Sequence, residues 1–177
     1  DAGADPNSTV DTGIETTPLV SCCQSGGTVE VIHTLVRRGA DPNHPHVLRS
    51  ALRHFKQKRS DANPVADALL EAGGRIDAPI DDNGRTCLHL YSHHEEIQAV
   101  SWLLRHGASA QVQTIDGRTP LHLAAERNNG TKIARLLLDH DADPYATDQV
   151  GAQPLDYASD NDKTTLVELL KSYGSAP

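Results

Sequence analysis

One short pattern recurs along this chain at a nearly constant spacing. A polar residue, then a small residue or proline, then a leucine, stand together at five places. The leucines are Leu19, Leu52, Leu88, Leu121 and Leu155, so the period stays at roughly 33 residues, within the range of known repeat proteins. A glycine or aspartate that follows an apolar run keeps step with them at Gly39, Gly73, Gly107 and Asp141. A period kept over five units predicts a repeat protein whose units pack on their neighbours.

Each unit reads as two short helices. In the fourth unit Thr119 can cap the first helix, and Pro120 suits its first turn, where a missing N–H has no intrahelical partner to lose. Residues 128–130, Asn-Asn-Gly, break that helix. Apolar residues then recur at i, i+3 and i+4 from Ile133, which is the stripe of a second helix packed on one face.

The fourth unit, DGRTPLHLAAERNNGTKIARLLLDHDADP at residues 116–144, resembles an ankyrin repeat over nearly its full length. The third unit, from NGRTCLHL at residues 83–90, and the first unit resemble it well, and the second and fifth are degenerate. The resemblance implies an all-α solenoid of stacked helix-turn-helix repeats joined by β-hairpin-like fingers. We expect one domain over residues 1–177, with repeats at about 11–43, 44–78, 79–113, 114–147 and 148–177. Residues 1–10 look like the tail of a preceding repeat, so we expect a piece of a longer protein.

Composition narrows the classes of function. Aromatic residues make up 3% of the chain and methionine is absent, so the core is predicted to come from Leu, Val, Ile and Ala. The net charge of −8 argues against nucleic acid and anionic membranes as partners. Three cysteines, two of them adjacent, make no disulfide framework, which favours a reducing, intracellular location in the cytoplasm or nucleus. The basic run at residues 56–59 is read as a solvated loop, with a nucleic-acid or acidic-partner contact as the lesser alternative.

The stretch TCLHLYSHHEE at residues 86–96 has the side chains of a metal site. From His94 it comes one residue short of the H-E-x-x-H zinc-protease pattern. The repeat register, however, places a turn at Glu95 and Glu96, whereas such a site needs one continuous helix. We therefore expect no metal, no cofactor and no catalytic residue, so the chain is predicted not to be an enzyme. A metal clip at His44 and His46 is a lesser alternative to a solvated finger.

The resemblance assigns structural roles to the T-P-L-H positions. These are Thr86, His89, Thr119, Pro120, Leu121 and His122. In ankyrin repeats this imidazole forms local hydrogen bonds and ties neighbouring fingers together. Cys22 and Cys23 align with Ala124 and Ala125, which predicts small buried helix residues, with a reactive thiol as the alternative.

The resemblance also implies a non-catalytic protein–protein interaction module, and we expect a monomer that binds another protein. The partner would contact the finger tips and the exits of the first helices, on the concave face. The finger candidates are Ile14, His46, Leu48, Asp82, Asn83, Ile115 and Gln149. The helix-exit candidates are Gln24, Gln57, His93, His94, Glu126, Arg127, Asp160 and Asn161.

Three alternatives stay open. The repeats could regulate or target a larger multidomain protein, such as an enzyme, a channel or a signalling protein. They could only extend a longer solenoid. The family resemblance also suggests asparagine hydroxylation at Asn7 or Asn43, which stand in G-A-D-P-N.

Overall fold

The computed structural model describes residues 4–11, 15–53, 63–128, 130–159 and 163–173. Ten helices and one antiparallel pair of short strands lie in these ranges. The strands are β1 (Val10–Asp11) and β2 (Glu15–Thr16). The helices are α1 (Pro18–Gln24), α2 (Val29–Arg37), α3 (Val47–Leu52), α4 (Pro64–Glu71), α5 (Cys87–His93), α6 (Ile97–Arg105), α7 (Pro120–Ala125), α8 (Gly130–Leu138), α9 (Pro154–Ser159) and α10 (Thr164–Tyr173).

The helices group into two compact units, residues 1–80 and residues 81–177. In unit 1, α1 packs on α3 and α2 packs on α4. In unit 2, the first helices α5, α7 and α9 form one layer, and the second helices α6, α8 and α10 form another. The all-α repeat class predicted from the sequence is confirmed. The single domain over 1–177 and the repeat boundaries stay predictions.

Local capping explains where α1 and α4 begin. The Thr17 hydroxyl accepts a hydrogen bond from the backbone N–H of Val20 at 3.3 Å, just ahead of α1. The Asn63 side chain accepts one from Ala66 at 3.1 Å, ahead of α4. In both helices proline occupies the first position, where its missing N–H has no intrahelical partner to lose. None of the helices in the described ranges is both long and apolar enough to cross a bilayer.

Aliphatic side chains form most of the core, which confirms the prediction from composition. Leu103, Leu121, Ile133 and Leu137 are fully buried in unit 2. The largest fully buried side chain is Trp102, the single tryptophan of the chain. Its fluorescence therefore reports on the packing of unit 2.

The start of α3 corrects the prediction for the second repeat. Ser50 aligns with the helix-capping threonines of other units, but it lies inside α3, which begins at Val47. Val47 and Ala51 are both fully buried, so packing extends the helix upstream of Ser50. The predicted finger positions of His46 and Leu48 are wrong: His46 is the N-cap of α3, and Leu48 is half-buried in its first turn.

Four of the candidate partner contacts lie outside the described residues: Ile14, Gln57, Asp160 and Asn161.

The turn that follows α8 gives a prediction about stability. Asp141 has φ of 62°, in the left-handed region where the matching residue of the preceding repeat is Gly107, with φ of 87°. Asp141→Gly should raise the free energy of unfolding by about 0.5–1 kcal/mol, because glycine adopts this backbone without a Cβ clash. Urea denaturation followed by Trp102 fluorescence measures the change.

The matched control is Gly107→Ala. A Cβ at Gly107 would meet no atom within 4 Å, so this variant changes backbone strain alone. It should lower the free energy of unfolding by about 1 kcal/mol. If Asp141→Gly leaves stability unchanged while Gly107→Ala lowers it, the left-handed backbone at Asp141 carries no strain and the prediction is wrong.

Candidate functional site

A buried imidazole joins the start of α5 to the next repeat. The Thr86 N–H donates to His89 Nδ1 at 3.2 Å, and the Thr86 hydroxyl lies 3.0 Å from the same nitrogen. Since Nδ1 accepts this N–H, the ring proton lies on Nε2, which donates to the Arg118 carbonyl at 3.1 Å. His89 thus holds in place the backbone of Arg118 in the following repeat.

His122 repeats the arrangement one unit later. Its Nδ1 accepts from the Thr119 N–H at 3.1 Å, and its Nε2 lies 3.1 Å from the Ala152 carbonyl. Burial lowers the pKa of His122, and it lowers the pKa of His89 to about 4, although the bonds to backbone carbonyls act in the opposite direction. Both imidazoles are therefore neutral near pH 7, as this pattern of one acceptor and one donor requires.

Three loops of unit 2 stack beside the first helices. We call them fingers: residues 81–85, 114–118 and 148–152. The Ile115 N–H donates to the Asn83 carbonyl at 2.9 Å, and the Gln149 N–H donates to the Asp116 carbonyl at 3.0 Å. The approach is close, because a Cβ at Gly117 would lie 2.9 Å from the Gln149 nitrogen. Backbone bonds thus hold the finger tips in register.

A polar pocket of about 120 Å³ lies where the fingers meet α5 and α7. We call it the groove pocket. Its lining residues are Asn83, Arg85, His93, Thr114, Asp116, Arg118, Leu123 and Glu126. The first two fingers and two successive first helices all contribute to it, so it exists only when repeats stack.

The Arg118 side chain is held on two sides. Its guanidinium carbon lies 4.9 Å from the centre of the Tyr157 ring, within the range of a cation–π contact. Its Nη2 forms an ion pair with Glu126 Oε1. The Tyr157 hydroxyl donates to Asp148 at 2.6 Å, and Glu126 Oε2 lies 3.8 Å from His93 Nδ1. A continuous series of polar contacts therefore crosses three repeats through Arg118.

The electrostatics of this series keep Asp148 charged, and keep Tyr157 and His93 neutral. The hydrogen bond to Asp148 raises the pKa of Tyr157 to about 12. Burial opposes ionisation of Asp148, but the Tyr157 hydroxyl and two backbone N–H groups outweigh it and lower its pKa. Burial and the nearby Arg127 lower the pKa of His93, against the opposing effect of Glu126. Near pH 7, Asp148 is thus an anion and His93 is uncharged.

The stretch that resembles a zinc motif is broken by a turn, as the repeat register predicts. His94 ends α5, α6 begins at Ile97, and Glu95 between them has a left-handed φ of 60°. Both ring nitrogens of His89 are already engaged. Across the described ranges, no three His, Cys, Asp or Glu side chains gather closely enough to hold a metal ion.

Comparison with known families places the chain. A family model described as ankyrin repeats, in three copies, matches residues 54–148 and 96–177, which is more than half of the sequence. The chain belongs to the ankyrin repeat family. Ankyrin repeats are protein-interaction modules, and the family is generally non-catalytic.

Several longer proteins share the sequence. An ankyrin repeat protein of fowlpox virus is 31% identical over 150 residues, which cover 82% of this chain and 44% of that protein. The mouse nuclear factor NF-kappa-B p105 subunit is 40% identical over 86 residues, 48% of this chain and 9% of p105. Human inversin is 28% identical over 109 residues, 59% of this chain and 10% of inversin. The chain thus spans less than half the length of each of these relatives.

The structure brings together some of the predicted partner contacts of this ankyrin domain. Asn83, His93 and Glu126 line the groove pocket. Others surround it as exposed or half-buried finger tips and helix exits: Asp82, Ile115, Gln149, His94 and Arg127. Gln24 is exposed at the end of α1 in unit 1, as a helix exit should be.

Sequence reasoning missed five of the pocket residues: Arg85, Thr114, Asp116, Arg118 and Leu123. One signal could have found the two arginines. Arg85 and Arg118 occupy the same repeat position, directly before Thr86 and Thr119. A cation repeated at one register position of neighbouring ankyrin units faces the same surface twice.

The buried imidazoles predict a pH dependence of stability. Below pH 6.5 the unfolded chain protonates His89, whereas the folded chain resists protonation down to about pH 4. The unfolded state then binds more protons, so stability falls as pH falls. Between pH 6.5 and 4, His89 alone should account for about 3 kcal/mol. Urea denaturation at several pH values, read by Trp102 fluorescence, measures the slope.

Two variants isolate this effect from the titration of carboxylates. His89→Gln should reduce the pH dependence below 6.5, whereas His94→Gln, at the exit of α5, should keep the wild-type slope. Equal slopes for both variants would show that neutral His89 is not the source.

Proposed function

We propose that unit 2 is a non-catalytic binding surface that holds a protein partner on its finger tips and groove pocket. One observation carries this proposal: the polar pocket and exposed apolar side chains lie on neighbouring fingers. Ile115 is 66% exposed between the pocket residues Thr114 and Asp116, and Val150 is 86% exposed on the next finger. Exposed apolar groups beside a polar site are typical of interaction surfaces.

Pre-organisation supports the same proposal. Backbone bonds between fingers hold Ile115 and Gln149 in place, and the Gln149 side chain also donates to the Ile115 carbonyl at 2.6 Å. Arg118 is fixed by Tyr157 and Glu126. A partner would therefore meet a surface that loses little conformational entropy on binding.

The remaining parts of the proposal concern the setting. We propose that the protein is a monomer. We also propose that its partner is a protein rather than a nucleic acid, because the chain has a net charge of −8. Cys22, Cys23 and Cys87 are thiols rather than disulfides, which supports an intracellular location. A second candidate is a regulatory or targeting role in a larger multidomain protein. The small share of p105 and inversin that the chain covers favours it.

Site-specific cross-linking tests the binding face. Replacing Val150 with the photo-reactive residue benzoylphenylalanine should capture a discrete partner from a lysate of the source organism. The matched control places the same residue at Lys132, which is exposed on α8 in the layer of second helices. Val150 should give a cross-linked band that Lys132 does not.

Charge reversal then tests the groove itself. In the Val150 cross-linking chain, the pair Glu126→Arg and Arg127→Glu should reduce the cross-linked band about tenfold, because both groups would orient the partner. Arg135→Glu, at an exposed position on α8, should leave the band unchanged. The same bands from Val150 and Lys132, or no loss on charge reversal, would contradict the proposed face.

A further inference from the structure

In the groove pocket the carboxylates already take part in hydrogen bonds or ion pairs, whereas two nitrogen atoms have no hydrogen-bond partner in the part of the chain that the structure describes. Asp116 accepts hydrogen bonds from the Thr114 hydroxyl at 2.5 Å and from the Asn83 side chain at 3.3 Å. Glu126 is engaged by Arg118. By contrast, Arg118 Nε and His93 Nδ1 are buried and have no hydrogen-bond partner among the described residues. Buried polar groups in native proteins are nearly always satisfied, so these two atoms are open to water or to a group that a bound partner supplies.

The charges of the pocket select the kind of group. Arg85 forms an ion pair with Asp81 at 2.6 Å and Arg118 forms one with Glu126, while Asp116 adds a further carboxylate. An incoming carboxylate would meet the Glu126 carboxylate, and an incoming ammonium would offer nothing to Arg118 Nε. A neutral group with both an acceptor and a donor meets neither obstacle.

A carboxamide matches these demands. Its carbonyl oxygen can accept from Arg118 Nε, and its NH₂ can donate to the remaining lone pairs of Glu126 or Asp116. It can also satisfy His93 Nδ1 in either tautomer, as acceptor or as donor. The pocket, of about 120 Å³, holds a group of this size, and Leu123 in its wall offers an apolar contact for the methylene carbons.

We propose that the groove pocket receives the side-chain carboxamide of a glutamine or asparagine from the bound partner. This rests on the proposed function, because the group belongs to the partner held on the finger tips. The exposed Ile115 beside the pocket then contacts apolar residues of the same partner segment.

The test uses acetamide as a minimal carboxamide and the full chain. In proton–nitrogen NMR spectra, the Nε–H signal of Arg118 should shift with acetamide concentration and saturate. Sodium acetate and methylammonium chloride at the same concentrations should move it much less. Shifts with acetate or methylammonium that equal or exceed those with acetamide would overturn the inference, as would no shift with any of the three.

Two variants guard the result. Arg118→Lys lacks Nε and should weaken acetamide binding about tenfold, read from the His93 ring signals. Arg135→Lys on α8 should bind acetamide as the wild type does. An unchanged affinity in Arg118→Lys that keeps the wild-type circular dichroism overturns the inference.

The two proposals fail separately. Without an acetamide shift, persisting Val150 cross-links leave the protein-binding surface standing and overturn only the carboxamide. If Val150 and Lys132 give the same bands, the proposed function fails, and the carboxamide inference fails with it.

Discussion

The hydrogen bond from His89 Nε2 to the Arg118 carbonyl connects the interior of one repeat to the finger of the next, on the proposed binding surface. Stacked helices alone would bury the leucines but would not fix the conformation of the loops between them. The imidazole removes that freedom, because its other nitrogen is already committed to the Thr86 N–H. The finger that carries Arg118 is therefore held beside α5, and this bond acts together with the backbone bonds between fingers to position the groove pocket. The tie works only with a neutral ring, which links the geometry of the surface to pH.

The groove pocket shows how an acidic chain can carry arginines on a surface that we propose for recognition of a partner. Arg118 is neutralised by Glu126 and rests on Tyr157, so it contributes directed hydrogen-bond donors more than net charge. Such a side chain can select a partner by shape and hydrogen bonding. The apolar finger tips, Ile115 and Val150, would then provide contact area for a partner. On the proposed surface, affinity and selectivity would therefore come from different residues.

Much of the fold could be predicted because its signals are local. The proline of α1 and the cap at Asn63 act within one turn of helix, and Asp141 takes its left-handed backbone where other units have glycine. The start of α3 could not be predicted, since Ser50 resembles a cap and only the burial of Val47 shows that the helix begins earlier. A cap pattern says where a helix can start, and packing decides whether it starts sooner.

The period, the helix pairs and the ankyrin family follow from the order of residues, because these features depend on neighbours along the chain. The structural role of His89 is implied by the family resemblance, and the structure supplies its partner at Arg118. The contacts between side chains of different repeats depend instead on the packing of whole helices, because that packing sets how one repeat lies on the next. Arg118 contacts Tyr157 of the following repeat and lines one pocket with His93 of the preceding repeat. The sequence therefore predicts Asn83, His93 and Glu126 as separate candidates. The stacking of the repeats brings them together in one pocket with Arg118, which no sequence motif indicates.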